Sequence, residues 1–482
     1  MGTRSSEQHR KKGLASVLLT LVAGMAMVSQ TAQPTQAAGW ACRGTHLRPG
    51  ASIQRAINLK PTGATFCLHR GTYRISAPLR PKDGQRFIGQ KGAAMSGARR
   101  VKSWSRSGRL WVATGQTQQF DHIRGNCSDL STTICRYPEQ LFLNGKNLRQ
   151  VSTQTAVRRG RFFFDYDANK IFIATDPNGK KLETSVTSAA FQGGPSGIHG
   201  VALKRLRIEQ FASPSGAAAI ASGPGWLVTR SNIVHNAGIG ICATGGSLLL
   251  RNHVHHNGQM GLCGKGSGIR VIRNEIDHNN TARYSLMWES GGAKFMNAEN
   301  LVVRANRSHH NLGHGLWTDM GSRDVLYEDN TVVGNALSGI VHEVSYRATI
   351  RGNKLKRNGR RAGWIMGGGA IFISNSSNVS VVKNRMMRNE NGVVLLEVER
   401  GAGHSLHDVS VRQNRTSCSG NVGGVESVAG AALFGSGNVF RSNDYRLRSQ
   451  IAKAFRWAGG AVTKSEWRKF GNDREGRFRF GC

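Results

Sequence analysis

From residue 231 onward the polar positions recur at a fixed interval, with one asparagine following another after four intervening residues. The pairs stand at Asn252/Asn257, Asn274/Asn279, Asn306/Asn311, Asn330/Asn335, Asn353/Asn358, Asn384/Asn389 and Asn438/Asn443, with Ser231/Asn236 and Asn414/Ser419 as half-matches. With the first member as marker, successive steps are 21, 22, 32, 24, 23, 31, 30 and 24 residues, a unit near 22 with occasional additions of about eight, which marks a repeat architecture. Between the markers lie short apolar stretches such as Leu301-Val302-Val303, Val325-Leu326-Tyr327 and Val379-Ser380-Val381-Val382, and a glycine-apolar step at Gly238-Ile239, Gly315-Leu316, Gly339-Ile340 and Gly392-Val393. Units this short hold strands and turns but no helix of useful length. A strand of three or four residues cannot bury a face alone. Stacked in register, such strands pair in parallel about 4.8 Å apart and enclose a continuous apolar core. Asparagine suits the corners, because it tolerates left-handed backbone and its amide can bond the asparagine one coil away. The pattern predicts an all-β solenoid, a single-stranded parallel β-helix.

The flanks read differently. Ser52 followed by Ile53, Ala56 and Ile57 on one face predicts a short helix with Ser52 as N-cap, and strand-like Phe66-Cys67-Leu68 and Gly71-Thr72-Tyr73 follow it. Residues 138–190 predict a small β-rich insertion, carried by Gln140-Leu141-Phe142-Leu143 and Lys170-Ile171-Phe172-Ile173. At the start, Arg4, Arg10, Lys11 and Lys12 precede an apolar run over 14–28 and the small-residue stretch Thr35-Gln36-Ala37, the pattern of an export signal. The expected divisions are a signal peptide over 1–38, an N-terminal cap with first coils and insertion over 39–195, regular coils over 196–445, and a C-terminal cap or tail over 446–482. In these features the chain resembles right-handed parallel β-helix proteins of the pectin-lyase-like group. The handedness is implied by that resemblance and by the general preference of parallel crossovers. The resemblance also implies that the helix at 53–57 plugs the open end of the coil.

Charge narrows the partners. Lys and Arg number 66 against 28 Asp and Glu, a net +38, while only 20% of residues are charged, which fits a folded chain poor in acids rather than a disordered polyelectrolyte. Such a surface attracts polyanions. For an exported protein these are acidic polysaccharides ahead of nucleic acid, for which no base-stacking motif or DNA-reading helix is visible. No segment after the signal is long and apolar enough to cross a membrane, so a secreted monomer or homotrimer is expected. All eight cysteines follow the signal, as an oxidising compartment predicts, and Cys42–Cys67, Cys127–Cys135 and Cys418–Cys482 are the expected local pairs, with free buried thiols as the alternative.

Register places the chemistry. Counted from the marker, Leu316 and Ile340 fall at +10 and Thr318 and His342 at +12, facing inward, whereas Trp317 and Val341 at +11 and Asp319 and Glu343 at +13 face outward. Cys242 and Cys263 share position +11, one rung apart, which predicts a fourth disulfide. Asp319 and Glu343 on neighbouring rungs would lie about 5 Å apart, so that one retains its proton above the usual range and the pair supplies an acid and a base. Additions at 281–291, 359–368 and 399–407 flank this face and bring Trp288, Glu289 and Trp364 toward it, while Lys294 projects one rung before Trp317. The blocks around Trp288 to Lys294, Gly315 to Asp319 and His342 to Ser345 resemble those of secreted bacterial β-helix proteins, which implies a site more firmly than a reaction. The Asp-Pro-His-Asp of alginate epimerases and the Asn-Thr-Asp of polygalacturonases are absent, and Trp-x-Asp only superficially matches pectate lyases.

The leading expectation is a secreted enzyme cleaving glycosidic bonds of a polysaccharide. Asp319 and Glu343 would be the acid/base or nucleophile pair, with Lys294 and His342 positioning or neutralising substrate. Trp317 would stack on a sugar ring, and Trp288, Glu289 and Trp364 would line the groove. Two alternatives stand beside it. One is a β-elimination lyase using Lys294 or His342 as base, with Ca²⁺ as the one cofactor left open. The other is a non-catalytic glycan- or wall-binding protein. Each of these residues also has a blander role: Trp317 covering the sheet, His342 bonded within the core, and Lys294 paired with Glu289. A further column, His235, His256, His278 and His310, precedes the second asparagine. No cysteine or carboxylate shares that spacing, so no metal is assigned to it.

Overall fold

The computed structural model describes residues 42–194, 197–363, 368–401, 403–427, 436–449 and 453–482. The expected signal segment, 1–38, and Trp364 lie outside the described residues. Each regular coil passes through three strands that stack in parallel on those of the next coil, giving three walls. The first wall is built from strands such as Met260–Ser267, Gly291–Glu299, His314–Asp319, Ile340–Glu343, Gly369–Ser374 and Asn391–Glu397. The second includes Leu248–Leu250, Arg270–Ile272, Val302–Arg304 and Arg323–Glu328. The third includes His253–His255, Glu275–Asp277, Arg307–His309 and Thr331–Val333. The solenoid is therefore an all-β parallel β-helix.

Inward residues form aligned apolar columns. Leu262, Ala293, Leu316, Ile340, Ile371 and Val393 follow one another rung by rung, all in one buried core. Each buried aliphatic side chain contributes about 1.5–3 kcal/mol. The asparagines form two ladders inside the corners. Asn330, for example, receives the backbone N–H and side-chain amide of Asn306 on its Oδ1 and passes the same pair of bonds to Asn353. Its amide also donates to the Val303 carbonyl at 2.8 Å, so backbone groups left free where the chain turns are satisfied. The marker register differs from the sequence expectation in the last coil. Asn414 donates to Asn443 Oδ1 at 2.8 Å, a step of 29 residues rather than 24, and Asn443 continues to Asp473. Asn438 instead accepts from the Val409 backbone and donates to the Leu406 carbonyl, so its spacing to Asn443 is coincidental.

Coils also lie within the N-terminal segment. Thr45–Leu47, Thr65–Leu68 and Arg86–Gly89 stack in parallel and continue directly into Ala202–Lys204. The helix Ile53–Leu59, capped by Ser52, buries Ile53 and Ile57 in the same core. The insertion between these coils starts at Ala98 and runs to Ser185, folding into four- and five-stranded sheets around Leu141, Phe162, Phe164, Ile171 and Ile173. Its start escapes sequence spacing because its strands pair antiparallel across long separations, as Leu110–Ala113 does with Lys170–Ile173. At the other end, Phe455–Trp457 adds a rung to the first wall and Arg477–Phe480 to the third. Trp467, on the helix Lys464–Lys469, stacks on Phe455 and meets Phe440 edge-on, closing this end with aromatic rings. All four expected disulfides are present: Cys42–Cys67, Cys127–Cys135, Cys242–Cys263 and Cys418–Cys482.

Candidate functional site on the first wall

Outward residues of the first wall form two adjoining columns. Lys294, Trp317, Val341, Phe372 and Val394 occupy one. Met296 and Asp319 stand in the second, which continues through Glu343, Ser374 and Leu396. Asp319 and Glu343 each follow a paired residue, Thr318 and His342, so the two carboxylates occupy neighbouring rungs on the outer side.

Much of this outer surface is covered. Trp317, Val341, Phe372, Val394 and Leu396 pack into an apolar cluster separate from the lumen. Trp317 is only 6% exposed, with the Lys294 ammonium 3.8 Å above its ring centre and the His314 ring at 4.9 Å. The expected open stacking platform for a sugar is corrected on this point: a cation already occupies the indole face. Lys294 is itself 5% exposed, and its Nζ lies 2.9 Å from Asp319 Oδ2 and 3.6 Å from Glu289 Oε1. It is an ion-pair partner of both acids rather than a free base. Asp319 also accepts from the Met320 backbone N–H at 2.8 Å, which fixes its carboxylate against the lysine.

Glu343 is held differently. Burial, and then the neighbouring Asp319 charge, push its carboxyl above the usual range, while Arg400 and Lys294 pull the other way. Arg400 Nη2 donates to Glu343 Oε1 at 2.6 Å. The Trp317 indole N–H makes no full hydrogen bond to a described residue, yet lies near enough to Glu343 to favour its ionised form. His342 is on the other side of the wall. It is fully buried, shares a hydrogen bond with Thr318 Oγ1 at 2.8 Å, and burial pushes its pKa down to about 3. Tyr327 donates to the same threonine, completing a polar spot inside the lumen. His342 therefore cannot meet a substrate on the outer face, because alternation turned it inward.

The additions converge on a cavity of about 180 Å³ beside Glu343. Met287, Ala362, Gly368 and Arg400 line it from the three added segments, and Ser374, Phe372 and His314 line it from the wall. His314 was not singled out by register. Its Nδ1 is buried without a described partner, and burial followed by the Lys294 charge lowers its pKa to about 3, leaving a neutral imidazole. It faces outward because both Gly315 and Leu316 face the lumen: a Cβ on Gly315 would collide with Val332 and Asn335. Arg400 was missed because it lies on an irregular segment with no repeat position. Trp288 stacks on Tyr284 against the Cys127–Cys135 disulfide, where it anchors the 98–185 insertion to the first addition and does not line the cavity. A larger cleft of about 570 Å³ beside that insertion holds Asp129, Arg149 and Arg283 but no paired carboxylates.

Residues 217–371 match the family model described as the right handed beta helix region. No curated protein matches the sequence. Among solved structures, XylC in complex with xylose shares the fold at a TM-score of 0.68, with 15% identity over 89% of this chain and 82% of that one. A mannuronan C-5 epimerase A-module of Azotobacter vinelandii aligns at a TM-score of 0.49, with 12% identity over 85% of this chain and 90% of its own. The catalytic unit of an alpha-1,3-glucanase of Streptomyces thermodiastaticus aligns at 0.46, with 14% identity over 93% of this chain and 69% of its own. The chain therefore has the right-handed parallel β-helix fold.

Proposed function

We propose that this protein is an exported, carbohydrate-acting enzyme that hydrolyses glycosidic bonds of an acidic polysaccharide, with Glu343 as general acid and Asp319 as the charged partner carboxylate. The observation that carries the reading is the Glu343 carboxyl, which is raised above its usual range one rung from a second carboxylate and lines a cavity bounded by all three additions. A carboxyl that keeps its proton can protonate the departing glycosidic oxygen, while a carboxylate tied to Lys294 serves as base or nucleophile. Arg400 and the net charge of +38 favour an anionic chain in the groove. XylC, of the same fold, holds xylose. Four disulfides, and the fact that no described helix is long and apolar enough to cross a membrane, support export. β-Elimination is disfavoured because its two candidate bases are engaged elsewhere: His342 faces the lumen and Lys294 is paired with two acids.

The test is incubation of the protein with acidic and neutral polysaccharides, following new reducing ends and the ultraviolet absorbance of unsaturated ends, beside Glu343→Gln and Asp319→Asn. New reducing ends without that absorbance are expected, and each substitution should lower the rate about 10²–10⁴-fold. Unchanged cleavage in both variants would remove the assignment. Binding without cleavage would make the protein a glycan binder.

A further inference from the structure

The third wall carries a cluster that the proposed reaction does not use. Its strands are three residues long and bury their middle residue: Val254, Ile276 and Ser308 are all fully enclosed. The flanking residues therefore face outward. On three consecutive rungs these are His253 and His255, Glu275 and Asp277, and Arg307 and His309. The residue that turns the corner after each strand is again histidine, at His256, His278 and His310, with His235 one rung earlier. Seven of the chain's 16 histidines thus gather on one patch.

The turn does not demand them. His235, His256, His278 and His310 have left-handed backbone with φ of 52–57°, but Gln210, Gly334, Arg357, Arg388 and Cys418 fill the same corner on other rungs. Nor is a carboxylate missing, as the histidine column alone suggested. Asp277, 5% exposed, sets Oδ1 2.6 Å from His253 Nε2 and Oδ2 2.6 Å from His278 Nδ1. The Nδ1 atoms of His255 and His256 face each other at 2.8 Å. Three trios, His253/His255/Asp277, His256/Asp277/His278 and Glu275/Asp277/His309, each bring one ligand atom per residue within 4.8 Å of the others. In the last, Glu275 and His309 are 3.0 Å apart.

We propose that this patch is a binding site for a divalent transition-metal ion of the Zn²⁺ kind, with Asp277 as central ligand and the imidazoles of one adjoining trio completing the set. Imidazole nitrogens with a single carboxylate suit Zn²⁺, Ni²⁺ or Cu²⁺, whereas Ca²⁺ and Mg²⁺ require mostly oxygen ligands. The ion takes the place of a proton shared between imidazole and carboxylate, so binding releases protons to solvent. Ligands from adjacent rungs make the ion a clamp between coils, on a different wall from Glu343. Since all three trios draw on Asp277, one ion per chain is expected.

The experiment uses tag-free protein, stripped with a chelator and titrated separately with zinc chloride and calcium chloride by calorimetry, with melting curves recorded in parallel. Saturable zinc binding near one equivalent, a higher melting temperature with zinc and no calcium heat are expected. Asp277→Asn should weaken zinc binding at least about tenfold, and so should His255→Ala or His256→Ala, according to which imidazole pair holds the ion. His310→Asn, which keeps a residue suited to the turn and lies outside all three trios, should bind as the wild type does. Melting of each variant without zinc separates lost ligands from lost folding. Absence of saturable zinc binding, unchanged binding in a folded Asp277→Asn, or equal loss in His310→Asn would overturn the site.

Discussion

The first and third walls are built by the same coils and present opposite outer faces. On the first, added segments lie over the strands, and Trp317, Val341, Phe372 and Val394 are buried outside the lumen almost as fully as Leu316 and Ile340 are within it. On the third, the strands of the central coils are three residues long, and outward Arg307, Lys354, Arg385 and Arg415 stand exposed. The carboxyls differ accordingly. Under cover, burial and Asp319 push Glu343 up. On the open wall burial would also raise Asp277, but hydrogen bonds from His253 and His278 hold it well below the usual carboxylate range. The repeat fixes where a side chain points, and the additions fix the medium it sits in.

The largest effect should come from breaking what the walls share. Asn353 accepts from the backbone and amide of Asn330, and its own amide donates to the Tyr327 carbonyl and to Asn384. Asn353→Ala leaves several buried groups unpaired and should cost about 3–5 kcal/mol in denaturant unfolding. A loss under about 1 kcal/mol would mean that water or slippage replaces the ladder. A smaller contrast lies within the candidate site. Asp319→Asn leaves the buried Lys294 ammonium with Glu289, at 3.6 Å, as its one carboxylate partner among the described residues, and should cost about 1–3 kcal/mol. Glu343 behaves oppositely. Its folded-state pKa is raised, so the folded protein binds the proton more tightly, and stability falls as pH rises through and above the ordinary carboxylate range. Glu343→Gln removes that penalty and should melt no lower than wild type at neutral pH while losing activity. If both variants melt equally far below wild type, the two carboxylates share one structural role.

Sequence alone made the lumen legible because every coil imposes the same demand there. Leu316, Ile340, Thr318 and His342 must face in, and the Cys242–Cys263 bridge follows from the same count. The outward direction of Trp317, Asp319, Lys294 and Glu343 was equally readable. Their exposure was not, because it depends on how segments outside the repeat fold back, and no period describes those. Arg400 sits in such a segment. The third-wall cluster was half visible. The histidine column is legible by its spacing to asparagine, whereas Asp277, one residue before His278, shares no such spacing and joins the patch because alternation points it outward.

Arg400 tests most finely whether cover or pairing sets the first-wall chemistry. It is the nearest cation to Glu343, donating to Oε1 at 2.6 Å, and its charge lowers a pKa that burial and Asp319 raise. Arg400→Ala removes the largest of the lowering influences and leaves the raising ones in place. If Glu343 acts as general acid, the alkaline limb of kcat reports its deprotonation in the complex and should move to higher pH. An alkaline limb that moves down, or a fall in kcat with that limb unmoved, would mean that Arg400 holds substrate and that the Glu343 proton is set elsewhere. The same substitution leaves the third wall untouched, so zinc binding there should not change.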